Sequence, residues 1–126
     1  MNTVLGIVGS RALEGSVNAY KIIQDYIEAF KPDKIASGGA RGIDNMAIEV
    51  ALALGYSEDD LIIHLPQPEN PGRAAYIFAL FERNTWIVRD SDKILAITVP
   101  GGSSGTQNTI DKAIKAGKTV YVQETI

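Results

Sequence analysis

Five short runs of apolar, largely β-branched residues punctuate the chain: Thr3–Val8, Lys34–Ser37, Leu61–Leu65, Lys93–Val99 and Thr119–Gln123. Most of their positions are apolar in succession rather than in alternation, the pattern of strands buried on both faces of a parallel sheet. Between these runs the apolar residues recur at helical spacing. Val17, Tyr20, Ile23, Ile27 and Phe30 form one stripe, ended by Lys31-Pro32-Asp33. Ile43, Ala47, Val50, Ala51 and Leu54 form a second, ended by Gly55. Ala74, Ile77, Phe78 and Phe81 open a third that runs towards Val88. Ile110, Ala113 and Ile114 form a fourth, and Gly117 just beyond them suits a left-handed cap.

The resulting order, β-α-β-α-β-α-β-α-β, predicts a three-layer α/β sandwich with right-handed crossovers. We expect a mainly parallel five-stranded sheet in the order 3-2-1-4-5. At 126 residues and 45% hydrophobic content the chain suits a single domain over residues 1–126 with its own core. No repeat or low-complexity tract interrupts it, and the proline-rich stretch Leu65–Gly72 reads as a loop within the domain. No apolar run approaches the roughly 18–20 residues of a membrane span, and the N-terminus shows no targeting segment. The absence of cysteine excludes disulfides and thiolate metal sites and fits a cytoplasmic protein. With a single histidine, His64, a histidine-cluster metal site is also excluded, so neither a metal nor a cofactor is expected.

In open α/β sheets, ligands bind beyond the carboxyl ends of the strands. Three of the four connections at that edge are Gly/Ser loops leading into helices. Gly9-Ser10-Arg11 follows the first strand, Gly38–Asp44 the second and Pro100–Thr106 the fourth. Glycine allows positive φ and close backbone approach, so that N–H groups converge, and a following helix adds its own free N–H groups and positive dipole end. Ser10, Ser37, Ser103, Ser104 and Thr106 supply hydroxyls, and Arg11 and Arg41 supply forked donors. Together these features point to an anionic, phosphate-bearing ligand. Asp44 reads as an acid that complements the start of a helix, with orientation of Arg41 or of a ribose hydroxyl as the alternative. His64 and Trp86 read as packing residues. Neither G-x-x-x-x-G-K-[ST], G-x-G-x-x-G nor G-x-S-x-G occurs, which counts against an NTPase, a dinucleotide dehydrogenase and an esterase-type hydrolase.

Four segments, Gly6–Arg11, Ser37–Leu52, Glu82–Asn84 and Gly101–Val122, resemble in sequence and order the SLOG superfamily of Rossmann-like proteins. The likeness is to the core of the DprA (Smf) group, and Gly72–Ile97 is similar to small stand-alone relatives of the YspA type. The resemblance implies a pocket for a nucleotide or nucleotide-derived ligand. By position, Gly9, Ser10 and Arg11 would line one wall, and Ser37, Gly38, Gly39 and Arg41 would cradle phosphate. Gly101, Gly102, Ser104, Gly105 and Thr106 would close the opposite side, with Arg83 and Asn84 reaching in from the third helix. The related phosphoribohydrolases carry P-G-G-x-G-T-x-x-E with a catalytic glutamate. Here an extra residue separates the glycines, Thr109 stands at the glutamate position, and Asp111 follows two residues too late.

The leading expectation is therefore a protein that binds a nucleotide-derived small molecule as sensor, carrier or sequestering protein. The alternatives are a nucleotide N-glycosidic hydrolase, with Asp44, Glu82 or Asp111 as its carboxylate, and DprA-like single-stranded DNA binding through Arg11, Arg41 and Arg83. A net charge of −3 disfavours a broad nucleic-acid surface. Finally, the segment Tyr76–Val88 is apolar on more than one face, from which we expect a homodimer or higher homo-oligomer.

Overall fold

Each apolar run forms a strand by pairing with other such runs, on both sides for the three central strands and on one side for the two edges. The computed structural model describes residues 3–126. Its strands are β1 (Val4–Gly9), β2 (Lys34–Ser37), β3 (Leu61–Ile63), β4 (Lys93–Thr98) and β5 (Thr119–Glu124). Its helices are α1 (Val17–Phe30), α2 (Ile43–Ala53), α3 (Arg73–Asp90) and α4 (Ser104–Lys115). The sheet is parallel throughout and ordered β3-β2-β1-β4-β5, as the alternation led us to expect.

Successive residues of a strand point to opposite faces, so the central strands feed two cores at once. Leu95 and Ile97 of β4 pack beneath α1 and α2 with Ile7, Ile23, Ile35 and Met46. Ile94 and Ala96 pack on the other face with Val8, Ile87 and Ile110, beneath α3 and α4. This double burial explains why β1 and β4 read as unbroken apolar runs.

The edge strands depart from that reading. β3 stops at Ile63 and β5 is only half buried, with Ile63 and Val122 substantially exposed. Each has a paired neighbour on one side only, and the helices reach past the central strands less fully there. Several stripe positions also fall outside the core, Leu54 at the end of α2 among them. Val17 opens α1 at the solvent surface, and Ile114 is exposed because α4 packs against α3 on one side only. Helix ends follow the glycine signals: Gly55 and Gly117 both take positive φ just past α2 and α4. α1 ends instead on Lys31, itself left-handed, whose N–H donates to the Ile27 carbonyl.

No helix among the described residues is long and apolar enough to cross a membrane. The amino-terminal half of α3 leaves Tyr76, Ile77, Phe78 and Phe81 exposed.

Leu95 is fully buried at the centre of the sheet. Replacing it with alanine removes three carbons from a close-packed site, and Leu95→Ala is expected to cost about 3 kcal/mol in equilibrium denaturation. A loss below about 1 kcal/mol would mean that this core is loosely packed.

Candidate functional site

The three Gly/Ser loops meet where the geometry of open sheets places ligands, beyond the carboxyl ends of β1, β2 and β4. After β1, Ser10 is drawn inward. Its N–H donates to the Ile97 carbonyl (3.0 Å), and its Oγ accepts from the Ala12 N–H (3.1 Å) of a short 3-10 turn. Arg11, next in sequence, is left exposed at the surface. After β2, the Ser37 hydroxyl donates to the Asp44 carbonyl (2.9 Å) and accepts from the Gly39 N–H (3.3 Å). That bond pair folds the loop over itself and starts α2.

Gly42 shows why this loop needs glycine. It adopts φ +86°, and a Cβ there would stand 2.6 Å from Arg11 Cα and 2.8 Å from the Ser10 carbonyl oxygen. The first and second loops therefore touch backbone to backbone, which a side chain would prevent.

Arg83 and Asn84 are both buried within α3. Arg83 Nη1 donates to the Gly38 carbonyl (2.7 Å) and its Nε to Asn84 Oδ1 (3.1 Å). Asn84 in turn donates to Asn108 Oδ1 on α4 (3.2 Å). The same guanidinium lies 3.9 Å from Asp44 Oδ2, and a Cβ on Gly38 would overlap both groups. Gly38 thus keeps room for the Arg83–Asp44 pair rather than presenting backbone to a ligand.

Asp44 occupies the first turn of α2, as expected, but it is buried and faces Arg83 rather than Arg41. Burial pushes its carboxyl from the ordinary 3.8 up to about 6. Arg83, the Ala40 N–H and Arg11 pull in the opposite direction, and desolvation outweighs them. The physical reason is that Arg83 spends its best hydrogen bond on Gly38 and meets Asp44 only at the limit of ion-pair distance. Arg41 lies outside this group. It is exposed, and its Nη2 donates to Glu14 Oε2 (2.8 Å), which raises the guanidinium's pKa through that bond.

Between these groups lies an open cavity of about 440 Å³. Arg11, Arg41, Asp44, Arg83 and Asn84 line it, together with Gly9 and with Ser103, Ser104, Gly105 and Thr106 at the start of α4. Ile77, Leu80 and Phe81 of α3 supply an apolar wall that the sequence patterns did not single out. Eight residues named from sequence are thus brought together here: Gly9, Arg11, Arg41, Arg83, Asn84, Ser104, Gly105 and Thr106. Ser10, Ser37, Gly38 and Gly39 lie behind the wall and hold the loops in shape. Gly101 and Gly102 face a separate cleft of about 260 Å³, shared with Gln107 and Glu124.

The three candidate carboxylates separate clearly. Asp44 lines the cavity, Glu82 faces another groove beside the proline loop, and exposed Asp111 accepts from Gln107 (2.8 Å). Thr109, at the position where the phosphoribohydrolase motif has glutamate, is buried in the cavity wall and donates to the Gly105 carbonyl. His64 is a packing residue as read. It pairs with Asp90 (2.5 Å) and lies against Trp86.

Among solved structures, the chain is similar to DNA processing protein A (DprA) from Streptococcus pneumoniae, with a TM-score of 0.74 and 22% identity. The match covers 96% of this chain and 50% of that one, so this chain spans half the length of its structural relative. A weaker match is the C-terminal domain of a hydrogenase from Pyrococcus furiosus, with TM-score 0.49, 21% identity, and coverage of 97% and 91%. No protein-family model and no curated protein matches the chain. The likeness to DprA is one of fold: an α/β Rossmann-like sheet in the order 3-2-1-4-5.

The Asp44 carboxyl generates a prediction with a fixed sign. Below about pH 4 it is protonated in both the folded and unfolded chain. Between about 4 and 6 the folded chain keeps a proton that the unfolded chain has released, so stability is lost as pH rises through about 6. The loss amounts to about 3 kcal/mol, from roughly two pKa units at 1.36 kcal/mol each. Denaturation of the wild type and Asp44→Asn from pH 4 to 7 should show the variant gaining relative stability as pH rises. Parallel pH profiles would refute the raised pKa.

Proposed function

We propose that this protein binds a nucleotide or nucleotide-derived phosphorylated small molecule in the cavity at the carboxyl edge of the sheet. The observation that carries this reading is the pairing of two unlike walls around one space. Ser103–Thr106 surround the start of a helix whose N–H groups and dipole favour phosphate, and Arg11 and Arg41 line the same cavity. Ile77, Leu80 and Phe81 offer an apolar surface on which a flat base could lie. Asp44 and Asn84, which also line the cavity, supply polar groups for hydroxyls or ring nitrogens.

Screening by thermal shift and calorimetry against nucleoside monophosphates, cyclic nucleotides and ADP-ribose derivatives tests the reading. We expect binding that falls at least tenfold in Arg41→Ala, since a charge-assisted phosphate contact contributes about 1.5–3 kcal/mol. Undiminished binding in that variant would refute the role given to this wall. Gel-shift titration with single-stranded oligonucleotides at two salt concentrations separates this reading from nucleic-acid binding.

A second reading is favoured by one feature, the placement of Asp44. It is the candidate carboxylate that lines the cavity, and a pKa of about 6 suits proton transfer near neutral pH. On that reading a water attacks C1′ of a bound nucleoside monophosphate, the C1′–N bond breaks with its electron pair going to the base nitrogen, and Asp44 takes the water's proton and passes it to the departing base, which restores the carboxylate. Chromatography for released base should then show turnover by the wild type and none by Asp44→Asn. No turnover across a broad panel leaves the binding reading alone.

A further inference from the structure

Glu14 was not among the residues that the loop patterns marked, yet it holds one of the two arginines at the cavity mouth. It follows Arg11 by three residues, at the end of the 3-10 turn after β1, while Arg41 belongs to the loop after β2. Their 2.8 Å ion pair therefore bridges two of the three loops. The neighbouring carboxylate, Glu49, accepts from the Tyr20 hydroxyl (3.0 Å). Arg11 makes no comparable pair among the described residues, and its charge is felt by Asp44 inside the cavity. The two arginines of the mouth are thus unequal: Arg11 has no carboxylate partner within ion-pair distance among the described residues, and Arg41 is held by an acid.

We propose that Glu14 is an internal competitor that occupies Arg41 in the empty site and must be displaced by an incoming phosphate. This rests on the reading of the cavity as a phosphate site. Both side chains are largely exposed, 70% and 50%, so the pair is held weakly and can exchange its carboxylate for a doubly charged phosphate. The competitor sets the affinity below what two free arginines would give. It also keeps the mouth closed to weakly charged anions, because these gain too little from Arg41 to replace the carboxylate.

The probes are AMP and, separately, inorganic phosphate, titrated by calorimetry at low ionic strength into the wild type, Glu14→Gln, Arg41→Ala and the double variant. Glu14→Gln should bind about two- to fivefold more tightly, the range an exposed pair supports. The gain should shrink with added salt and vanish in the Arg41→Ala background, because the competition acts through that side chain. Two outcomes overturn the proposal while leaving the phosphate site standing: unchanged or weaker binding by Glu14→Gln, or a gain that persists without Arg41. The first would mean that Glu14 positions Arg41, and the second that it merely repels anions at a distance. If neither probe binds the wild type or Glu14→Gln, the phosphate reading falls and the competitor with it.

Discussion

A guanidinium cannot shed its charge when buried, so the structure around Arg83 must compensate it in place. The partners come from separate parts of the chain: the Gly38 carbonyl after β2, the His64 carbonyl after β3, Asn84 on α3 itself and, farther off, Asp44 at the head of α2. One side chain thereby ties α3 to the carboxyl ends of two strands and to the helix on the opposite face of the sheet. Asn84 continues the tie to α4. Among the described residues no buried side-chain nitrogen or oxygen lacks a partner, so the network is closed. The cavity exists because these bonds hold its walls apart.

The glycines serve this network more than they serve a ligand. Gly38 is bare so that Arg83 and Asp44 can approach, and Gly42 is bare so that two loops can touch. With the serine hydroxyls of Ser10 and Ser37 spent on local bonds, the first two loops bring the arginine side chains Arg11 and Arg41 to the cavity. The start of α4 adds a helix N-terminus to the same cavity. On the proposed phosphate-binding reading, recognition at this edge is divided between two elements of different kind, a rigid helix end and two long side chains.

The layered fold was legible because its signals are dense and redundant. Each central strand has two buried faces, and Gly55 and Gly117 mark helix ends by conformation alone. The edges were less legible, since Ile63 and Val122 carry strand-like side chains whatever their burial. In the site, charge and glycine spacing located the loops correctly. They could not distinguish Ser37, which closes its own loop, from Ser104, which borders the cavity, because both are small hydroxyl residues after a strand. Ile77, Leu80 and Phe81 looked like core or interface positions, as apolar helical residues do before their neighbours are known. Glu14 left no trace at all. An acid three residues beyond an arginine is common on any surface, and only the folded chain shows it reaching a second arginine.

Charge also decides what scale of ligand the edge suits. Around the cavity and its mouth, Arg11, Arg41 and Arg83 stand against Asp44 and Glu14, which leaves a single net positive charge when both acids are ionised. The chain as a whole carries −3. A long polyanion extends its phosphates beyond the cavity and meets that negative background, whereas a compact phosphate ester places all of its charge within the positive region. The buried Asp44 sharpens the contrast. Its tendency to hold a proton up to about pH 6 comes from the same desolvation that strengthens every electrostatic contact inside the cavity. Under the proposed binding role, a site built in this way would favour a small anion that can enter and be enclosed over one that must remain mostly outside.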